Sequence, residues 1–452
     1  MVFNYEMADY PPALFNADGL MRPSGKNKFS NYLCDTWGKS SIVEEATLTN
    51  PNPVIVYDGG MLIQNLTSLW TRGKTLGGIA NEYVSHLTRQ SRDSQEIIVV
   101  FDGYEEETPK GYIQRQRNPT KTLDFVVQDG TVLDLEATVF LTNPSNKQGF
   151  INLLSDKINA KPRLTAKKCT GDADRPIVET ALETLKLHKP VLLKADDTDV
   201  LVMCLAESQT TGLYLKRGGK LYNVESFQFK IEPSVVRQNL LVLHGFFGCD
   251  CTSAFFYHPS YTALTKNWDH FSRDLAVFRD KKATIPDIHT AGIRLVAAMY
   301  GCDTDLNGER AQIFMDLCND KKRKRKVTLD RLPPTADAVG LHAQRSYLQI
   351  QEWSGNSLRP ESYGWKKVDG ILEPIPMGQE PAPPFLMEVK KCGCTSGCRN
   401  RICRCVADGL ACTDKCSCGE TCENPKNSEN NDDADDEVFD DALSESSDEE
   451  RD

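Results

Sequence analysis

Three observations predict an α/β fold, a mostly parallel sheet with helices on both faces. Short apolar runs alternate with helix-compatible stretches: "VIVYDGG" from Val54, "EIIVVFDGYEEE" from Glu96 and "PVLLKADDTD" from Pro190. Those runs are nearly continuous in Val, Ile and Leu, as strands buried on both faces are. Each one ends in Asp, which marks the edge of burial and the start of a connection.

The elements follow in order. Residues 1–50 show no clean periodicity and read as an N-terminal extension, with "YPPALF" and "NPNP" as punctuation. A helix is expected over about 76–89, after the first strand. "NKQGFINLLSDKI" and "GDADRPIVETALETLKL" read as two more, the second opening on Asp with Pro in its first turn. "GLYLKRGGKLYNV" is a hairpin around Gly-Gly, and "SVVRQNLLVLHGFFGCD" is helical with an apolar stripe. Residues 51–265 thus form the α/β domain. A helical extension, 266–370, carries "IHTAGIRLVAAMYG", "LNGERAQIFMDLC" and "TADAVGLHAQRSYLQIQEW". Residues 371–387, opening "ILEPIPMGQEPAPP", read as a Pro-rich linker, 388–425 as a small zinc-stabilised Cys-rich module, and 426–452 as a disordered acidic tail.

Charge and cysteine are both unevenly spread. The net charge of -11 comes from the end of the chain, where residues 429–452 hold thirteen Asp/Glu against one Arg. The other 51 acids and 52 bases nearly cancel. Nine of the sixteen cysteines fall between Cys392 and Cys422. The first thirty residues lack the apolar core of a signal peptide, and no run approaches the roughly 18 apolar residues of a membrane span. An intracellular, reducing compartment and no membrane partner are expected.

The acids at the strand ends carry the chemistry. Asp58, Asp102, Asp196, Asp197 and Asp199 follow apolar strands, Asp172 and Asp174 open a helix, and Asp250 follows another. In an open α/β sheet, groups beyond the carboxyl ends of the strands face one crevice. Two carboxylates about 4 Å apart repel by roughly 4 kcal/mol at an effective dielectric near 20, so convergence calls for cations. Mg²⁺ and Mn²⁺ prefer oxygen ligands, and a pair of them suits phosphodiester hydrolysis. Seven His and no His-Glu-x-x-His disfavour a thermolysin-like zinc site, and there is no Gly-x-Ser-x-Gly or P-loop. Taken singly, each Asp is equally a cap or turn residue; the series makes the argument.

Taken in order, "VIVYDGGMLI", "IIVVFDGYEE", "GDADRPIVETAL", "LLKADDTDVLVM" and "LHGFFGCDCTS" resemble the five acidic blocks of flap-endonuclease-type, PIN-like nucleases. The resemblance implies a nucleic-acid substrate, two Mg²⁺ or Mn²⁺ ions, and Asp58, Asp102, Asp172, Asp174, Asp197, Asp199 and Asp250 as catalytic ligands. Asp172 and Asp174 stand where that family has Glu-x-Glu, and Asp196 is a spare acid. Lys110, Arg115 and Arg117 match the family's phosphate-gripping residues. The Gly-rich duplex-binding hairpin that follows the last acid in that family has no counterpart in "CTSAFFYHPSYTALTKN". The alternative is a nuclease fold without activity, a DNA-binding or chromatin scaffold, possibly of mobile-element origin.

The Cys-rich segment reads C-x-C-x3-C-x4-C-x-C-x6-C-x3-C-x-C-x3-C, through Cys392, Cys394, Cys398, Cys403, Cys405, Cys412, Cys416, Cys418 and Cys422. Nine thiols in a reducing compartment point to metal. Three tetrahedral Zn²⁺ ions need twelve contacts, which nine sulfurs supply if three bridge. The spacing resembles one repeat of the tesmin-type CXC domain, which implies three zincs and DNA binding, with Arg399, Arg401 and Arg404 as phosphate contacts or a protein partner instead. Ile402 stands where that family has a DNA-inserting Tyr. The run "KKRKRK", 321–326, is a nuclear-import candidate, so a nuclear localisation is expected.

Overall fold

The computed structural model describes residues 2–424 apart from 49–51, 92–93, 104–107, 118–122, 188–189, 257–267, 302–304, 320–326 and 388–390, and a few positions from 396 to 421. The described chain falls into two units, Met1–Ala382 and Pro383–Asp452.

The first unit is built on a six-stranded sheet: β1 Val54–Asp58, β2 Ile97–Phe101, β3 Leu164–Lys168, β4 Val191–Lys194, β5 Leu213–Arg217 and β6 Lys220–Asn223. Its order is β3-β2-β1-β4-β5-β6, parallel except for the β5–β6 hairpin. Successive residues of each strand point to opposite faces. Val54, Val56, Val191 and Leu193 therefore enter one apolar core, while Ile55, Tyr57, Ile97 and Val99 enter the other. Helices Leu76–Gln90 and Pro144–Asn159 cover the second face. Helices Asp174–Lys186, Thr198–Glu207, Leu240–Phe247 and Ala336–Trp353 pack on the first.

The chain runs outward from β1 to β2 and β3, then crosses back to place β4 and β5 on the other side of β1. That reversal makes the carboxyl ends of β1 and β4 a topological switch point, where open α/β sheets form their crevice.

Three sequence-based boundaries shift. Residues 1–50 are no appendage: Leu14, Phe15, Phe29 and Leu33 are buried in the first core. The helical extension shares that core through Leu295, Ala343, Tyr347 and Trp353. Ile371–Pro374, read as the start of a linker, is strand β8, paired antiparallel with β7 (Trp365–Val368). The β3 edge strand also went unread. "RLTAKKC" runs from buried Leu164 to exposed Lys167 and Lys168, without alternation, and lacks the apolar density of its neighbours.

Among the described residues no helix is long and apolar enough to cross a membrane.

Candidate metal centres

The acids of the five blocks come together at the carboxyl end of the sheet. Asp58 ends β1 and caps the next helix, accepting from the amides of Gly60 (2.8 Å) and Met61 (3.1 Å). Gly59 is required by packing: a Cβ there would lie 2.2 Å from the Phe101 ring. A Cβ on Gly60 would stand 3.2 Å from Asp58 Oδ1 and 3.6 Å from Asp102 Oδ2, so both carboxylates face this glycine. Asp102 Oδ1 accepts from the Ala173 amide at 3.0 Å, which ties the end of β2 to the start of the 174–186 helix. The Asp-Gly pairs therefore mark close backbone approaches, since a Cβ on Gly103 would lie 2.2 Å from the Thr170 carbonyl.

Asp172 Oδ1 accepts from the Asp174 amide (3.1 Å), and Asp197 Oδ1 from the Asp199 amide (2.9 Å). Each i, i+2 pair thus puts one acid on a helix end and buries the next. Asp174 and Asp199 are 6% and 4% exposed. Asp199 Oδ1 also meets His244 Nε2 at 2.6 Å, with the imidazole stacked between Phe29 and Trp353.

Lysines interleave these acids. Lys26 Nζ lies 2.9 Å from Asp197 Oδ1, 2.9 Å from Asp250 Oδ2 and 3.8 Å from Asp199 Oδ1. Lys110 Nζ bonds Asp172 and lies 3.1 Å from Asp174 Oδ2. Burial disfavours the Lys110 ammonium, but Asp174, Asp172 and Asp102 outweigh it and raise its pKa well above the ordinary value. The charges of Asp102 and Asp58 also act on a third cation, Lys147.

The like charges have their own signature. Burial, then Asp102 and Asp197, push the Asp58 carboxyl up to about 6, although its amide bonds oppose the shift. Burial and the Asp172 charge push Asp174 well above the carboxylate range. Glu352, at the end of the 336–353 helix, is pushed up to about 7 by burial and by Asp172. Seven acids from five blocks and an eighth from a distant helix share one field.

Asp196 stands apart. Its carboxylate accepts from Gly218 at 2.8 Å and braces the β5–β6 turn. Arg115 and Arg117 lie on helix Pro109–Arg117, but their side chains fall outside the described residues, as does the segment 257–267. Sequence reading missed Lys26, Lys147, His244 and Glu352. Lys26 has only "SGKNKFS" around it, and Glu352 follows a run that reads as an ordinary helix face.

In the second unit the sulfurs cluster. Three sets of four, Cys392/Cys405/Cys412/Cys416, Cys392/Cys398/Cys403/Cys412 and Cys398/Cys412/Cys418/Cys422, each lie within 4.8 Å of one another. Individual Sγ–Sγ separations are 3.7 Å for Cys392–Cys398 and Cys405–Cys416, and 4.0 Å for Cys392–Cys412 and Cys403–Cys412. A zinc tetrahedron with Zn–S bonds of about 2.3 Å places its sulfurs about 3.8 Å apart. The donor set therefore fits zinc. Cys394 has Cys392, Cys398 and Cys403 as neighbours. Around the cluster, Arg404 and Ile402 are exposed and Arg399 pairs with Glu423. Arg401 lies outside the described residues.

Among the described residues, every group of three or more ligand atoms mutually within 4.8 Å is made of cysteines. The aspartates converge less tightly and carry lysines between them.

No family model and no curated protein matches the chain. Among solved structures, the chain is similar to a bacteriophage T5 flap endonuclease in complex with DNA and metal ions. Identity is 12% over 67% of this chain and 99% of that one, with a TM-score of 0.35. It is also similar to the catalytic core of Rad2 in complex with a DNA substrate, with 14% identity over 74% and 100% of the two chains and a TM-score of 0.36.

Proposed function

We propose that this protein is a divalent-metal-dependent nuclease that hydrolyses phosphodiester bonds of nucleic acid, with DNA the expected substrate, and that its Cys-rich unit is a zinc-held DNA-binding module. The observation that carries the reading is the meeting of Asp58, Asp102, Asp172, Asp174, Asp197, Asp199 and Asp250 at one switch point, on five segments far apart in sequence. Burying like charges costs stability unless something positive is held among them.

Two Mg²⁺ or Mn²⁺ ions would supply water activation and stabilisation of the leaving oxygen. Asp172, Asp174, Asp197 and Asp199 would hold one side, and Asp58, Asp102 and Asp250 the other. His244 fixes the Asp199 carboxylate through its 2.6 Å contact, so that acid presents one oxygen in a constant direction. Lys110 and Lys26 carry charges that the acids hold ready. Were cations held on the carboxylates, the two ammoniums would be free to meet the non-bridging oxygens of a scissile phosphate. Asp in place of Glu at 172 and 174 shortens the reach by one methylene.

In the zinc unit, Cys392, Cys398 and Cys412 are shared between sets and would bridge. Cys405 and Cys416, Cys418 and Cys422, and Cys403 with Cys394 would be terminal pairs. Nine sulfurs then give twelve contacts to three ions, and Arg399, Arg401 and Arg404 would face phosphate. The basic run 321–326, outside the described residues, is proposed as a nuclear-import signal.

A second reading has its own support: Lys26 and Lys110 offset part of the acids' charge without any metal, as a nuclease fold kept as a DNA-binding or chromatin scaffold would. The test is to incubate wild type and Asp197→Asn with single-stranded, flap and duplex DNA and RNA, in Mn²⁺ and in chelator. Cleavage by wild type in Mn²⁺ alone supports the enzyme. Binding without cleavage in any condition supports the scaffold.

A further inference from the structure

A cavity of about 240 Å³ opens beside the acids, on the opposite face of the same strand ends. Tyr57 precedes Asp58 on β1 and points to the second core. Lys194 ends β4, three residues before Asp197. The lining joins apolar Met61 and Leu66, after β1, to Lys216, the Gly218–Gly219 turn and Asp196, whose carboxylate is held by the Gly218 amide. The floor is Lys194, whose ammonium donates to Tyr57 Oη (2.8 Å) and Gln90 Oε1 (2.7 Å). Gln90 in turn bonds His86 Nε2 at 2.7 Å, so a polar chain locks the lysine in place.

An ammonium has three N–H donors, and two of the Lys194 donors are used. Among the described residues no carboxylate forms an ion pair with it, whereas Lys216 is paired with Glu45. The Glu45 charge acts on Lys194 but is shared with Lys216, so a bound anion would still relieve this half-buried cation. Burial and the Lys216 charge push Lys194 down to about 8, against the opposing charge of Glu45. The apolar wall adds a second requirement, since inorganic phosphate would leave Met61 and Leu66 unused. Ligand clefts commonly span about 300–1,000 Å³, so this one takes a single small unit and no duplex.

We propose that this cavity is a nucleotide-binding subsite, which holds one unpaired 5′-phosphorylated nucleotide of a nucleic-acid strand, its phosphate on Lys194 and Lys216 and its base against Met61 and Leu66. The subsite deepens the nuclease reading, because its position on β1 and β4 puts a strand end next to the acids. Its recognition needs no divalent ion.

The test is calorimetric titration of the full chain in chelator with thymidine 5′-monophosphate, thymidine and inorganic phosphate. Competition follows with oligothymidylates bearing a 5′-phosphate or a 5′-hydroxyl. The expected result is saturable binding of the monophosphate, with thymidine and phosphate each weaker by roughly tenfold or more, the loss of one charge-assisted contact or of the base contact. Lys194→Met should weaken the monophosphate roughly tenfold. Leu66→Trp, which fills the cavity and spares the lysines, should abolish it while leaving the melting transition in place. The 5′-phosphorylated strand should compete and the hydroxyl strand should not. Absence of monophosphate binding, inorganic phosphate binding as tightly, indifference to both substitutions, or failure of the phosphorylated strand to compete would each overturn the proposal. Cleavage without nucleotide binding would remove this subsite alone, and nucleotide binding without cleavage would remove the nuclease reading alone.

Discussion

Lys26 Nζ stands 2.9 Å from Asp197 Oδ1 across 171 residues of sequence, and the same ammonium reaches Asp250. The segment before the first strand therefore supplies a counter-charge for acids that follow β4. Lys26→Gln should destabilise the metal-free protein by about 1.5–3 kcal/mol, the range for hydrogen bonds to charged groups. The same variant should bind Mn²⁺ more tightly than wild type, because no tethered cation competes. Thermal melts in chelator and in Mn²⁺ check both: the first should fall, and the Mn²⁺-induced gain should grow.

Removing a central acid should stop the chemistry while sparing the fold. Asp174→Asn is expected to cut Mn²⁺-dependent cleavage by roughly a thousandfold, equal to about 4 kcal/mol of barrier. It should also raise stability in chelator, because a buried like charge is gone. Steady-state cleavage and a melt on the same sample separate these effects.

The acid field also sets a pH dependence. Asp58 at about 6 and Glu352 at about 7 lie above their ordinary values, so between about pH 4 and 7 the folded state holds more protons than the unfolded one. Stability in chelator should therefore be fully present at the low end of that window and decline as pH rises through it. Asp58→Asn should flatten part of the slope, and Mn²⁺ should reverse it by favouring the ionised carboxylates. Urea titrations at a series of pH values measure this.

The sulfur sets predict unequal losses in the zinc unit. Cys412, common to all three sets, should on mutation to Ser release at least two zinc equivalents of the expected three. Cys416→Ser, which touches one set, should release one at most. Elemental analysis after gel filtration in mild chelator gives the counts. A count near zero in wild type would remove the zinc assignment.

Much of the fold was legible because parallel strands buried on both faces leave dense Val, Ile and Leu runs, as at 54–57, 97–101 and 191–193. The seven aspartates could be picked out because each follows such a run, or opens or follows a helix. Strand β3 escaped because edge burial leaves "LTAKK" mostly polar. The β7–β8 pair escaped because "ILEPIP" has the punctuation of a linker, although Trp365 and Leu372 are buried. Lys26, His244 and Glu352 carry no local signal, since only three-dimensional packing brings them to the acids. Arg404, named as a phosphate contact only through the resemblance, is exposed.

The most direct measurement is the anomalous diffraction of crystals grown with Mn²⁺. Two manganese peaks about 4 Å apart, among Asp58, Asp102, Asp172, Asp174, Asp197, Asp199 and Asp250, with the Lys26 ammonium displaced from Asp197, are predicted. No manganese at those carboxylates at saturating ion, with Lys26 and Lys110 still seated among them, would contradict the account.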